Sequence, residues 1–299
     1  MEIVREVGAL QALADAARAA GRRIALVPTM GALHDGHVAL VAEARRRADL
    51  VVVSIFVNPT QFGPGEDFAA YPRPFEADAA RCRAAGVDVL FAPAPEALYP
   101  PGYQTFVDVE RVSKPLCGAS RPGHFRGVAT VVAKLWLAAK PHVSVFGEKD
   151  FQQLALLRRL ARDLGFDVEV VGVPTLREPD GLALSSRNVF LDAETRAPAL
   201  VLHRARRAAE GAVAAGERGA AALLAGVRRE LAKAPLAEVD YAELRDAESL
   251  EPAPARLAAP TLLALAVRFP AASSPRGVRL IDNAVLRPPA APTGREASP

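Results

Sequence analysis

The run "DLVVVSIFVN" (49–58) sets the tightest limit on what this chain can fold into. It is continuously apolar and rich in β-branched residues, with no alternation of wet and dry faces, so it predicts a strand covered on both sides. Such a strand belongs in a parallel sheet with helices on both faces, and the neighbouring sequence supplies them. "RRIALVP" reads as a strand, and Val38, Val41, Ala44 and Ala48 give the next segment one apolar helical face. A helical stretch around 75–85 leads to the strand-like "VDVLFAP". "GVATVVAKLWLAAK" (127–140) reads as a helix, "HVSVFG" (142–147) as a strand, "DFQQLALLRRLARDLG" (150–165) as a helix and "DVEVVGVP" (167–174) as a closing strand. Regular alternation from 22 to about 173 predicts βαβ units and a doubly wound parallel sheet of the α/β class. Ligands of such sheets bind beyond the carboxyl ends of the strands, which is where His34, Asn58 and Lys149 fall.

Beyond residue 175 the pattern changes. A polar connection, "REPDGLALSSRNVFL", precedes long Ala/Arg helices across about 193–234. Three strand-like runs follow: "VDYAELRD", "TLLALAVRF" and "VRLIDNAVL". A smaller α+β domain is expected over 176–286, and the Pro- and Ala-rich tail (287–299) is expected to be disordered. At 51% hydrophobic and 24% charged the chain is globular in composition, and a net charge of +3 spread over Ala/Arg helices argues against a nucleic-acid surface. Cys82 and Cys117 form no metal-finger spacing, which fits a reducing compartment. The start "MEIVREVGAL" lacks signal-peptide character, and no apolar run approaches the roughly 18 to 20 residues of a membrane span. A cytoplasmic protein without membrane partners is expected.

Chemistry concentrates in five stretches. "VPTMGALHDGHVALV" (27–41) places His34 and His37 in a Gly-punctuated turn between strand and helix. A helix start presents unpaired N–H groups and a positive dipole end, which favour phosphate. The bare H-x-x-H leaves structural packing and metal binding open, although H-E-x-x-H is absent and the chain has only five histidines. "FVNPTQFGPGEDFAAYP" (56–72) offers the neutral amides of Asn58 and Gln61, while Asn-Pro and Gly-Pro-Gly are loop signals on their own. "GASRPGHFRGVATVV" (118–132) clusters Arg121, His124 and Arg126 in a basic mouth or a solvated loop. In "VFGEKDFQQL" (145–154), Lys149 stands where a helix dipole disfavours a cation unless an anion is bound. Gln152 and Gln153 lie about 100° apart on that helix, so only one faces a ligand. "DGLALSSRN" (180–188) sets two hydroxyls beside Arg187.

In this order and spacing, "PTMGALHDGH", "SIFVNPTQF", "YPR", "GASRPGHFRGV", "FGEKDFQQL" and "DGLALSSRN" resemble the pantothenate synthetase (pantoate–β-alanine ligase) family, over about residues 1–286. That family belongs to the H-x-G-H nucleotidyltransferases, related to class I aminoacyl-tRNA synthetases. The resemblance implies a Rossmann-like catalytic domain over 1–175 and a C-terminal lid over 176–286. It implies ATP-dependent condensation of (R)-pantoate with β-alanine through a pantoyl adenylate, with Mg²⁺ and in a homodimer. By motif, Met30, Gly31, Ala32, Leu33, His34, Asp35, Gly36 and His37 would line the ATP site, His34 and His37 on the phosphates and His37 as proton donor. Gly147, Glu148, Lys149 and Asp150 would contact ATP, Lys149 at the phosphates and Asp150 at the ribose. Leu176 would meet adenine, and Leu184, Ser185, Ser186 and Arg187 would close over the nucleotide. Gln61 and Gln153 would hold pantoate, with Gln61 also positioning β-alanine. No metal ligand is assigned, an acidic residue near Asp78 being the candidate.

Three rivals fit parts of the pattern. An H-x-G-H nucleotide adenylyltransferase would need more basic residues than Gln61 and Gln153 for a phosphorylated acceptor. An NAD-dependent dehydrogenase would need a G-x-G-x-x-G that the first strand lacks. A non-catalytic nucleotide-sensing or RNA-binding relative would have no need of His34, His37, Lys149 and Arg187 together. The chain departs from the family in extra residues within "AVRFPAASSPRGVRLIDN", in the tail, and at Cys117, a position often acidic in relatives.

Overall fold

A computed structural model describes residues 1–64, 66, 68–271 and 274–288, with backbone alone for 274–276. The tail expected to be disordered falls almost wholly outside the described residues, as do 272 and 273 within the C-terminal extra stretch. The chain divides into two compact units: Met1–Glu178 with Ala183–Asn188, and Pro179–Leu182 with Val189 onward.

The first unit opens with β1 (Glu2–Val4), α1 (Val7–Ala19), β2 (Ile24–Thr29), α2 (Asp35–Arg47) and β3 (Leu50–Ile55). It continues through a 3-10 turn at Pro59–Gln61, α3 (Phe75–Ala84), β4 (Val89–Phe91) and the short helices α4 (Pro95–Leu98) and α5 (Cys117–Ser120). Then come α6 (His124–Ala139), β5 (Val143–Gly147), a 3-10 turn at Glu148–Asp150, α7 (Phe151–Asp163) and β6 (Glu169–Val173). All six strands run parallel in the order β1-β4-β3-β2-β5-β6. Leu50 to Ser54 are buried, as expected for a strand covered on both faces. The core of one face gathers Val27, Val51, Val53, Val143 and Val145 against Leu40 and Ala44 of α2.

Two findings differ from the sequence reading. That reading begins its first strand near residue 22, whereas β1 and α1 precede it, and β1 pairs along β4 at the sheet edge. The strand order also has a reversal point. From β2 the chain moves outward to β3 and β4 on one side, and later to β5 and β6 on the other. The crevice beyond the carboxyl ends of β2 and β5 is therefore the topological switch point, the ligand position of open α/β sheets.

The second unit holds α8 (Ala193–Ala199), α9 (Val201–Ala214), α10 (Ala220–Leu231), β7 (Glu238–Asp246), β8 (Thr261–Ala271) and β9 (Ser274–Leu286). Its strands form an antiparallel sheet in the order β7-β8-β9. The central strand β8 is mostly apolar, and its Leu263, Leu265 and Val267 pack on Leu202, Ala205 and Val227 of the helices. The extra C-terminal residues lengthen the β8–β9 hairpin, out to the Ala271–Ser274 pair. A boundary near 175 misplaces one segment. Ala183–Asn188 packs with the first unit because Leu184 N–H donates to the Leu176 carbonyl (3.0 Å), and Asn188 Nδ2 donates to Glu178 Oε1 and the Ala183 carbonyl. Among the described residues no helix is long and apolar enough to cross a membrane.

Candidate active site

The turn after β2 is held by atoms far away in sequence. Thr29 Oγ donates to the Ser54 carbonyl (2.7 Å) and accepts from Gly31 N–H (3.2 Å). The buried Asp78 carboxylate accepts from Ala32 N–H and Leu33 N–H, each at 2.8 Å. Two backbone donors on one carboxylate fix the turn that delivers His34 to the start of α2. Asp78 is thus the pin of this loop, each of its oxygens taking one backbone donor. Among the described residues no group of three or more His, Cys, Asp or Glu is placed to hold a metal.

His34 caps α2. Its Nδ1 accepts from Gly36 N–H (3.1 Å), and His37 Nδ1 accepts from His34 N–H (3.2 Å). A backbone N–H can only donate, so both Nδ1 atoms are unprotonated and both neutral rings carry hydrogen on Nε2. The rings lie 4.2 Å apart. Burial, then the Lys149 charge, lowers the His34 pKa to about 4. Burial, then His34 and Lys149, lowers that of His37 to about 3. At neutral pH the pair therefore offers two uncharged N–H donors at a helix N-terminus. The glycine between them is a steric demand: a Cβ on Gly36 would stand 2.7 Å from His34 Cε1 and 2.8 Å from Nδ1.

One cleft collects most of the sequence candidates. Met30, His34, Gly36 and His37 line it from β2 and α2, and Gly147, Lys149, Asp150 and Gln153 from β5 and α7. Gln61 enters from the 3-10 turn after β3, Leu176 from the stretch after β6, and Leu184, Ser185, Ser186 and Arg187 from the returning segment Ala183–Asn188. Five of the residues carried over from the family motifs are not in the lining. Gly31, Ala32 and Leu33 form the pinned turn, Asp35 pairs with Arg81 (2.7 Å), and Glu148 packs towards Gly172. The two glutamines of α7 separate as helix geometry requires. Gln152 is buried, donating to the carbonyls of Val112 (3.0 Å) and Pro115 (2.7 Å) and accepting from Cys117 N–H (3.0 Å). Gln153 turns to the cleft.

The surroundings of Gln61 correct two readings. Asn58 does not project over the ligand edge. It is fully buried, its Nδ2 donating to Gln61 Oε1 (2.9 Å) and to the Gly127 carbonyl (3.1 Å). The basic mouth of Arg121, His124 and Arg126 is largely neutralised. Arg121 donates through Nε and Nη2 to both oxygens of Glu66 (2.9 and 2.7 Å), and Arg126 stacks on Phe106 at 4.1 Å. His124 Nδ1 lies 2.8 Å from the Gln61 carbonyl, and burial followed by the Arg121 charge lowers its pKa to about 4. Glu66 and the holding role of Asn58 escaped the sequence reading. Their partners lie up to 69 positions away, and no local spacing marks such contacts.

Chemically, the cleft presents neutral N–H donors and a lysine to an anion at the switch point, with amides beside them for a polar organic acid. A sequence profile of the family described as Pantoate-beta-alanine ligase matches residues 2–285. The chain is 55% identical over 286 residues to the pantothenate synthetase of Geobacter sulfurreducens, covering 96% of this chain and 99% of that one. It is 53% identical to that of Salinibacter ruber, covering 97% and 99%. Among solved structures, a Thermus thermophilus pantothenate synthetase superposes with a TM-score of 0.89 at 48% identity, covering 96% of this chain and 100% of that one. The Francisella tularensis pantoate–β-alanine ligase, solved with β,γ-ATP and β-alanine, gives 0.75 at 31% identity, covering 95% and 97%.

Proposed function

This chain belongs to the pantoate–β-alanine ligase family, and from that premise we propose that it condenses (R)-pantoate with β-alanine, using ATP and passing through a pantoyl adenylate. The observation that carries the reading is a single switch-point cleft lined by the His34–His37 pair, by Lys149 and by the amides of Gln61 and Gln153.

A carboxylate resists an amine because its charge repels the nucleophile and oxide is a poor leaving group. In the first step a pantoate carboxylate oxygen attacks the α-phosphorus of ATP, and the bond to diphosphate breaks. The Nε2–H groups of His34 and His37 donate to the phosphate oxygens where charge accumulates, with Lys149 as counter-charge. Neutral imidazoles suit this task because their donors are aimed in advance by Gly36 N–H and His34 N–H. In the second step the β-alanine amine attacks the acyl carbon, AMP departs with the electron pair of the C–O bond, and the amine proton is released. Gln61 and Gln153 hold pantoate by its hydroxyls and carboxylate, and Ser185, Ser186 and Arg187 cover the nucleotide. Mg²⁺ is implied by the family resemblance, and among the described residues no group of three or more His, Cys, Asp or Glu is placed to cage it. The nucleotide's own phosphates would carry it.

Purified protein is expected to form AMP from ATP only with pantoate present, and pantothenate only once β-alanine is added. Pantoate-independent AMP formation would sink the assignment and favour the adenylyltransferase alternative.

A further inference from the structure

Gln61 is held from two sides by residues to which the reaction above assigns no part. We infer that His124 is a positioning residue for the acid substrate, fixing the Gln61 backbone together with Arg121 so that the Gln61 amide meets pantoate in one orientation. This rests on reading Gln61 as a pantoate contact.

The hydrogen bonds have one consistent direction. The Gln61 carbonyl can only accept, so His124 donates to it through Nδ1–H (2.8 Å), and Arg121 Nη2 donates to the same oxygen (3.3 Å). His124 Nε2 is then the acceptor for Arg121 Nη1 (3.2 Å). Arg121 is itself aimed by Glu66, whose carboxylate takes Nε and Nη2 as a fork between side chains only 17% and 19% exposed. Orientation passes from Glu66 to Arg121, to His124, and so to the Gln61 main chain. From the opposite side, Asn58 Nδ2 takes Gln61 Oε1. What the amide turns to the cleft is its Nε2 donor end, which suits a carboxylate or hydroxyl oxygen. His124 also lines the cleft, but both its ring nitrogens are engaged with protein atoms, so it has no ring N–H for substrate. Its role is to keep another residue in place, and holding a contact in advance is what lowers the cost of substrate alignment.

The test compares KM values for pantoate and ATP in wild-type protein, His124→Ala, His124→Asn and Gln61→Ala. An asparagine amide reaches the position of Nδ1 and retains the donor. His124→Ala is expected to raise KM for pantoate about tenfold while KM for ATP stays within about twofold, and His124→Asn to recover most of the loss. An asparagine variant as impaired as the alanine variant, or KM for ATP rising in step, overturns the inference. An unchanged pantoate KM in Gln61→Ala overturns the Gln61 assignment and this inference with it. A raised KM there beside wild-type behaviour in His124→Ala overturns the positioning role alone. If His124→Ala does not fold, Arg121→Gln removes the other donor to the same carbonyl, and an unchanged pantoate KM in that variant is equally decisive against it.

Discussion

His34 and His37 show how far residue type and spacing reach. H-x-G-H in a strand–turn–helix setting is enough to favour phosphate handling, but protonation is not legible there, because it depends on burial and on which backbone N–H each ring accepts. The structure makes both rings neutral, with pKa values lowered to about 4 and about 3. Unfolding exposes them to protonation below their ordinary value of 6.5. The unfolded chain therefore binds more protons than the folded one between 6.5 and those lowered values. Stability is fully present above the window and falls as pH drops through it. His34→Asn/His37→Asn keeps a capping side chain without the titration. In urea unfolding, wild-type protein should lose more stability than this double variant between about pH 7 and about pH 5. Equal losses would show that the pair does not carry the effect. In turnover, His34→Ala and His37→Ala should each lower kcat by roughly 10²–10³ with the fold intact, on the scale of a removed oxyanion-hole donor. Unchanged turnover would refute their phosphate role.

Between elements, α6 comes close to the 3-10 turn Pro59–Gln61 at Gly127. A Cβ on Gly127 would stand 2.2 Å from the Thr60 carbonyl oxygen and 2.8 Å from Gln61 N. Both are backbone atoms, so no rotamer change relieves the clash, and Gly127→Ala has to lift the turn off the helix. Gln61 moves with it, and Asn58, which bridges Gln61 Oε1 and the Gly127 carbonyl, loses its geometry. The variant should melt lower than wild type and show KM for pantoate raised by about tenfold or more, with KM for ATP little changed, because a displacement near 1 Å is costly in an aligned site. A lower melting point with both KM values untouched would mean that the turn relaxes without carrying Gln61. This coupling explains a limit of the sequence reading. "VNPTQF" displays its amides and its turn signals, but the glycine that admits the turn lies on another helix, far along the chain from Thr60. The split between Gln152 and Gln153, by contrast, is legible, because it follows from the helical repeat alone.

Across the whole chain, the alternation of strands and helices identifies the parallel sheet, and the three strands of the second unit show as strand-like runs, though their antiparallel pairing does not. What escapes is short or non-local. β1 has only three residues and pairs along one edge, so it leaves almost no pattern. α1 does carry a signal, its buried Leu10, Ala14 and Ala17 at helical spacing, in an Ala-rich stretch where small residues blur the face. The placing of Ala183–Asn188 in the first unit rests on hydrogen bonds back to Leu176 and Glu178, which a composition change near 175 conceals. The consequence is testable at this scale: every residue lining the cleft, the returning segment included, belongs to the first unit. ATP at about 100 times its dissociation constant should stabilise the fold containing that unit by about 2.7 kcal/mol. Hydrogen exchange would show where this stabilisation falls. Slowing is expected at the amides of residues 30–37, 147–150 and 184–187, and not in β7, β8 and β9. Protection confined to that three-stranded sheet would move the nucleotide to the second unit and overturn the site assignment as a whole.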